Sequence, residues 1–146
     1  MKKKILSLCL LSMLSFSALA ACGQASYRDG TYEGTSEIYS GDESGSGAGY
    51  GVVSITISEG KISDCEYRTY ELDGTLKDEN YGKQNGEVAN RDFYNKAQRA
   101  VQACEKYAQL LKEKGDIMGV DAISGATVSY QEFVEAVDQA LEAAKE

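Results

Sequence analysis

The chain has 146 residues, of which 42% are hydrophobic, and this length supports one modest domain with a single core. Its net charge of −8 at pH 7 argues against binding nucleic acid or anionic lipid through a basic face. Histidine is absent, which excludes Ser-His-Asp and Cys-His catalysis and histidine metal sites, and leaves chemistry borne by a cofactor as the simpler alternative.

The N-terminal segment is predicted to be a targeting sequence. Lys2, Lys3 and Lys4 form a positive region, and the apolar run 5–18 is too short for a convincing membrane span. The run ends in Leu19-Ala20-Ala21-Cys22, which resembles the lipobox of bacterial lipoproteins. That resemblance implies cleavage before Cys22 and lipid modification of its thiol, including palmitate, as a membrane anchor. The alternative is cleavage after Ala20, which leaves Cys22 as a free thiol.

Three strands are expected in the first half of the domain. Residues 31–39 alternate loosely, whereas 50–58 alternate well between apolar and polar residues. Glu59-Gly60-Lys61 predicts a turn, so that 62–71 returns as the second arm of a hairpin. The Gly- and Ser-rich segment 40–49 predicts a flexible loop, with a ligand-contacting lid as the alternative, and the polar segment 72–89 predicts an irregular connection.

Two helices are expected in the second half. Asn90 is the predicted N-cap of a helix over 91–114, which Gly115 ends. Ser129 is the predicted N-cap of the last helix, where Glu132 completes a capping box. Both apolar stripes are expected to pack in the core; they consist of Phe93, Ala97, Ala100, Val101, Cys104, Ala108 and Leu111, and of Phe133, Val134, Val137, Ala140, Leu141 and Ala144. The element order predicts a single α+β domain, a small antiparallel sheet with helices packed on one face.

Cysteine usage does not indicate a metal or redox site. Cys65 and Cys104 lie in different predicted elements and do not form a Cys-x-x-Cys pair. They are expected to be small buried apolar residues, and a disulfide between them remains open in an oxidising compartment.

The turn before the last helix carries the strongest functional signal. The run Asp121-Ala122-Ile123-Ser124-Gly125-Ala126-Thr127 presents a threonine hydroxyl just ahead of the predicted helix. The unpaired N–H groups of a helix N-terminus favour an anion such as phosphate, and small residues let it approach the backbone closely. These residues alone are consistent with a phosphate site or with an ordinary helix cap.

This run resembles the flavinylation motif of FMN-binding domains, which reads Asp, two variable residues, Ser or Thr, then Gly-Ala-Thr. The resemblance extends to Asp29-Gly30-Thr31-Tyr32-Glu33-Gly34 and to the strand pair 50–66. Such domains occur in sodium-translocating NADH:quinone reductases, in ferredoxin-linked relatives and in lipoproteins of extracellular electron transfer. The N-terminal residues and the lipobox predict a signal peptide over 1–21 and a lipidated tether over 22–29, and the resemblance to FMN-binding domains implies such a domain over 30–146.

In that family the last threonine of the motif carries FMN through a phosphoester, which a separate flavin transferase installs from FAD with a divalent metal. The resemblance therefore implies covalent FMN at Thr127, with Asp121, Ser124, Gly125 and Ala126 as the recognition residues around it. No residue is expected to be catalytic, and no resident metal is expected.

The implied function is electron transfer by a carrier subunit, lipid-anchored on the extracytoplasmic side of the cell membrane. Its expected partners are the flavin transferase, membrane or extracellular redox proteins, and the membrane itself through the lipid, but not nucleic acid. The alternatives are a lipoprotein that binds FMN or another anionic ligand reversibly, and a structural lipoprotein without a cofactor. Four tyrosines are candidates to stack on the flavin ring: Tyr50, Tyr67, Tyr70 and Tyr81.

Overall fold

The computed structural model describes residues 26–44 and 46–145. Within them, three antiparallel strands form one sheet in the order β1-β2-β3: β1 (Gly30–Thr35), β2 (Tyr50–Ser58) and β3 (Lys61–Tyr70). Helix α1 (Arg91–Lys114), a 3-10 turn (Ile117–Gly119) and helix α2 (Thr127–Ala144) follow. The predicted small single-domain α+β fold is confirmed. The predicted signal peptide and the predicted lipidation site, Cys22, lie outside the described residues.

The β2–β3 hairpin forms where the alternating pattern predicts it. Glu59 and Gly60 have φ values of 54° and 71°, the left-handed conformations that a tight hairpin turn of the primed type requires. Alternate residues of β2 face the helices, so that Val53, Ile55 and Ile57 are at most 2% exposed. The first strand is shorter than predicted and ends at Thr35. Beyond it, regular pairing is interrupted, and an isolated bridge between Tyr39 and Gly49 follows.

Both helices pack on one face of the sheet, α1 against β3 and α2 against β1 and β2. The Asn90 side chain caps α1 as predicted and accepts the N–H of Phe93 at 3.0 Å. Gly115, with φ 71°, ends the helix, also as predicted. No helix in the described ranges has both the length and the apolar character needed to cross a membrane.

The two cysteines of the domain lie in the core as free thiols. Burial raises the pKa of Cys104 to about 11 and that of Cys65 to about 12. Both groups therefore stay protonated at neutral pH, and they act as small buried apolar residues rather than as a redox pair.

Helix α2 crosses β1 at a point where only glycine fits. A Cβ atom at Gly34 would lie 1.9 Å from the carbonyl oxygen of Ala136 and 2.7 Å from the backbone nitrogen of Ala140. Both alanines are fully buried. Small residues on both elements thus bring the two backbones into contact and fix the position of α2 over the sheet.

The residues just before β1 are bound to the far end of α2. The backbone N–H of Arg28 donates to the carbonyl of Ala144 at 2.9 Å, and its guanidinium donates to the carbonyl of Ala143 at 3.1 Å. Tyr27 forms a β-bridge with Lys145. The last residues of the predicted tether are therefore part of the fold, and the chain enters the domain beside the C-terminus of α2.

Replacing Gly34 with alanine is expected to destabilise the domain by roughly 1–3 kcal/mol, because the clashing atoms belong to the α2 backbone and cannot rotate away. Urea unfolding followed by circular dichroism measures the change. Thr35→Ala, at an exposed position one residue along the same strand, is the control. Equal unfolding midpoints for the two variants would contradict the close approach.

Candidate functional site

Helix α2 begins three residues earlier than the sequence indicated. Thr127 is its first residue, Ala126 occupies the N-cap position, and no side chain caps the end. The predicted N-cap at Ser129 and its capping box with Glu132 are therefore wrong. Both side chains lie inside the helix and are buried, at 7% and 4% exposure, because packing against the sheet draws them inward. The first backbone N–H groups of α2 consequently have no side-chain acceptor and can receive an anion.

A buried tyrosine holds the turn that precedes α2. The Tyr107 hydroxyl accepts the N–H of Ile123 at 2.8 Å and donates to the carbonyl of Ala126 at 3.2 Å. Its ring is fully buried and stacks on Phe133, with centroids 5.5 Å apart and planes 18° from parallel. Between the two bonded residues, Gly125 adopts φ 81°, which favours glycine. Together with a backbone hydrogen bond from the N–H of Ala126 to the carbonyl of Ile123 at 3.0 Å, this side chain of α1 stabilises the turn.

Two further tyrosines attach their hydroxyls to the backbone around the turn. Tyr130 donates to the carbonyl of Val120 at 2.8 Å, just before the turn. Tyr67 donates to the carbonyl of Ser129 at 2.7 Å, in the first turn of α2. The start of α2 is thus held from α1, from β3 and from within α2 itself.

A cavity of about 290 Å³ opens beside the start of α2, near the lower limit of about 300 Å³ usual for ligand sites. Its walls come from the first half of α1, the start of α2 and both irregular segments. The segment 40–49, of which residue 45 is outside the described ranges, thus contributes to a pocket wall. The lining residues include Tyr39, Asp42, Ser46, Gly47, Thr69, Lys77, Tyr81, Phe93, Lys96, Ala97, Ala100, Val101, Gly125, Ala126, Thr127, Val128, Ser129 and Glu132.

The N-terminal half of the α1 stripe faces this cavity. Phe93 is 36% exposed, and Ala100 and Val101 are only partly buried. The expectation that the whole stripe packs in the core is wrong for Phe93, Ala100 and Val101, which face the cavity, whereas Ala97 is buried at 6% exposure. Ala103, Cys104, Tyr107, Ala108 and Leu111 form the buried half of α1.

The structure brings part of the sequence motif to the cavity. Gly125, Ala126 and Thr127 line it, and Thr127 is exposed at its edge. Asp121 and Ser124 are also exposed but are not among the lining residues. Three of the five predicted residues therefore share one pocket, and the other two lie on the surface of the turn.

Among the tyrosines considered for ring stacking, Tyr81 lines the cavity. Tyr50 and Tyr70 stack on each other instead, with ring centroids 5.5 Å apart. Tyr67 is in the core, 4% exposed, where it packs against Phe133. The sequence could not separate these roles. Alternation shows only which side of the sheet a strand tyrosine occupies, and it gives no position for Tyr81, which lies in the irregular segment 72–89.

Sequence reasoning missed two buried ionisable residues of the cavity, Glu132 and Lys77, which are 4% and 8% exposed. The Lys77 ammonium donates to the carbonyl of Gly47 at 3.0 Å and lies 5.1 Å from the centroid of the Tyr81 ring. Burial lowers the pKa of Lys77, although the negative charge of Glu132 opposes that shift. The sequence did contain one indication, because Glu132 falls on the apolar side of the predicted helix. The capping-box pattern instead assigned this carboxylate to the helix end.

Burial raises the pKa of Glu132 to about 7, in part offset by the positive charge of Lys77 and reinforced by Glu135. Its Oε1 atom is buried and has no hydrogen-bond partner among the described residues. A buried polar atom without a partner is costly, and such atoms in folded proteins require an explanation.

Residues 47–142 match the family model described as the FMN-binding domain. The chain belongs to the FMN-binding domain family. It is similar in fold to the crystal structure of a Clostridium perfringens protein, at 22% identity and a TM-score of 0.58, over 81% of this chain and 88% of that one. A solution structure from Clostridium thermocellum matches at 22% identity and a TM-score of 0.43, over 82% and 93% of the two chains. Comparison with curated proteins gives no match.

The residues of the cavity fit an FMN ligand. The uncapped start of α2 and the small residues before it suit a phosphate group. Phe93, Ala100 and Val101 provide apolar contact for a flat ring, while the unpartnered oxygen of Glu132 suits a polar edge. This FMN-binding domain is therefore a flavin-binding protein, and FMN supplies redox chemistry when it is bound.

Replacing Tyr107 with phenylalanine should destabilise the domain by roughly 1–3 kcal/mol, because it leaves the N–H of Ile123 and the carbonyl of Ala126 without their partner. The Ile123 amide should also exchange faster with solvent deuterium, as NMR measures. Tyr94→Phe is the control, since its hydroxyl donates only to the carbonyl of Glu79 in an irregular segment. An unchanged exchange rate of the Ile123 amide would contradict the stabilisation of the turn by the Tyr107 hydroxyl.

Glu132→Gln should stabilise the ligand-free domain more at pH 8 than at pH 4. The pKa of Glu132 is raised from 4.5 to about 7 on folding, so the folded chain retains the proton more strongly than the unfolded chain. Below pH 4.5 the carboxyl is neutral in both states; as the pH rises through 7 it ionises while buried, and stability is lost.

The expected difference between the two pH values is on the order of 3 kcal/mol in the free energy of unfolding. Urea titrations of both proteins across this range measure it. Asp138→Asn, which changes an exposed carboxylate on the same helix, is the control. A constant difference between Glu132→Gln and the parent chain at all pH values would contradict the raised pKa.

Proposed function

We propose that this FMN-binding domain is an electron carrier in which FMN is joined to Thr127 through a phosphoester. The flavin carries the electrons, while the protein attaches it, orients it and sets its electrostatic surroundings. One observation carries the proposal: Thr127 is the exposed first residue of the uncapped helix α2, at the edge of a cavity within the matched FMN-binding region. A phosphate on its hydroxyl would lie beside backbone N–H groups and the positive end of the helix dipole.

Attachment requires a second protein. The Thr127 oxygen displaces AMP from FAD: the pyrophosphate bond breaks, the phosphoester forms, and the hydroxyl proton passes to a base of the flavin transferase. A divalent metal in the transferase neutralises the phosphate charge. The exposure of Thr127 supports access by such an enzyme. Asp121 and Ser124, exposed beside it but outside the cavity, are available for recognition by the transferase rather than for contact with the bound flavin.

The proposed location is the extracytoplasmic side of the membrane, with Cys22 as the lipid-bearing residue. The residues that follow this anchor join the domain beside the C-terminus of α2, through Arg28 and Tyr27. The 18 residues of α2 span about 27 Å at about 1.5 Å per residue. The flavin would thus lie at the opposite end of α2 from the anchor, where membrane or extracellular redox proteins can reach it.

A second function uses the same cavity. A lipoprotein that holds FMN or another anionic ligand reversibly would use the Thr127 hydroxyl as a hydrogen-bond donor instead of as an ester oxygen. The separation of Asp121 and Ser124 from the cavity is compatible with either function. The two are distinguished by whether the flavin stays with the unfolded chain.

Thr127→Ala should abolish covalent flavin on the full chain when it is produced together with a flavin transferase. Intact mass under denaturing conditions is the measurement, and the parent chain should gain the mass of FMN less one water. Thr75→Ala, an exposed threonine outside the cavity, should be modified like the parent. Yellow protein that loses its flavin on unfolding would favour the reversible binder, and an adduct on Thr127→Ala would overturn the attachment site.

A further inference from the structure

The two buried ionisable residues of the cavity, Lys77 and Glu132, carry opposite charges when Glu132 is ionised, but they do not form an ion pair. Within the described ranges, ion pairs join Arg68 to Glu66, Lys112 to Asp64 and Lys145 to Glu142, all at exposed positions. The Lys77 ammonium and the Glu132 carboxylate are therefore more than 4.0 Å apart. Two buried opposite charges that are separated each bear a desolvation cost without the compensation of direct contact.

The protein supplies only part of the bonding that these groups need. An ammonium has three N–H donors, and the contact that the structure gives Lys77 through one of them is with the carbonyl of Gly47. Glu132 Oε1 has no hydrogen-bond partner in the described part of the chain. An acceptor beside Lys77 and a donor beside Glu132 would satisfy both residues at once.

The other charged residues of the cavity are differently placed. Asp42 is exposed, and its carboxylate accepts the backbone N–H groups of Ser44 and Ser46 and the Ser44 hydroxyl. Lys96 is exposed on α1. Lys77 and Glu132 are therefore the buried charged groups available to a ligand inside this pocket.

We propose that Glu132 and Lys77 together bind the imide edge of the flavin ring, with Glu132 accepting the ring N3–H and Lys77 donating to an adjacent ring carbonyl. This inference rests on the proposed function in that the ligand is a flavin. An imide presents one N–H donor flanked by two carbonyl acceptors, the pattern that a separated carboxylate and ammonium complement. The pair would then select the flavin ring, whereas the start of α2 receives the phosphate.

The positions of the two sites along α2 agree with this division. Glu132 follows Thr127 by five residues, which is about 7.5 Å further along and about 140° around the helix axis, and both residues line the same cavity. Thr127 is exposed at the cavity edge, whereas Glu132 is buried. The phosphate end of the ligand would lie at the opening, and the ring would extend inward with Phe93 and Val101 beside it.

The test uses lumiflavin, which has the flavin ring without ribityl phosphate, and 3-methyllumiflavin, in which a methyl group replaces the N3–H. Both are titrated into the full chain carrying Thr127→Ala in detergent, and quenching of flavin fluorescence measures the dissociation constant. Methylation is expected to weaken binding by about tenfold or more, as expected for loss of a hydrogen bond to a charged group. This comparison needs no change at Glu132 and is independent of how that variant folds.

Adding Glu132→Ala should weaken lumiflavin binding by a similar factor and should remove the difference between the two ligands, because the residue that distinguishes them is gone. Glu132→Gln keeps an acceptor oxygen and should retain most of the difference. Lys77→Met should weaken both ligands equally. Asp138→Ala, on the exposed side of α2, is the matched control and should bind like the parent.

Equal binding of the two ligands by the parent cavity, or an unchanged effect of methylation after Glu132→Ala, would overturn the assignment. These outcomes are separate from the attachment test at Thr127. Covalent FMN with no role for Glu132 would leave the proposed function standing and remove this inference. If lumiflavin binding depends on Glu132 but the chain is never flavinylated, this inference stands and the proposed covalent attachment is removed.

Discussion

The Tyr107 hydroxyl imposes the constraint on which the candidate site depends. It joins the N–H of Ile123 to the carbonyl of Ala126 across the turn, and its ring is locked against Phe133 in the core. The turn has one backbone hydrogen bond of its own, from the N–H of Ala126 to the carbonyl of Ile123, and its small residues add little side-chain packing. Tyr107 thereby stabilises the turn immediately before Thr127, the first residue of α2, which lines the cavity.

The packing of α2 against the sheet also places a buried ionisable residue, Glu132, in the wall of that cavity. At Gly34 the backbones of β1 and α2 are in contact, and Glu132 lies on the side of α2 that faces the sheet. A leucine at this position would bury apolar surface without the cost of an unpartnered carboxyl. Retaining a destabilising acid beside a separated lysine is the pattern expected where stability is given up for ligand binding.

Much of the fold follows from local sequence patterns. The alternation in 50–58 with the Glu59-Gly60 turn predicts the hairpin, and Asn90 and Gly115 predict both ends of α1, because each signal acts through neighbouring backbone groups. The alternation in 31–39 extends past the end of β1 at Thr35, because it does not show where regular pairing gives way to an isolated bridge. The periodicity of α1 predicts a uniform core stripe, since it shows which residues share a face but not what lies opposite them.

The sequence by itself determined the family, because a contiguous motif can be recognised without knowledge of the fold. The same motif predicts Thr127 and the small residues beside it as the site. Only the tertiary structure decided where α2 starts, which tyrosines hold the turn, and that Asp121 and Ser124 lie outside the cavity. It also brought Lys77, from an irregular segment, to the same pocket as Glu132. Residues that far apart in the chain meet through packing, and no local pattern encodes the burial of Lys77 and Glu132 in one cavity.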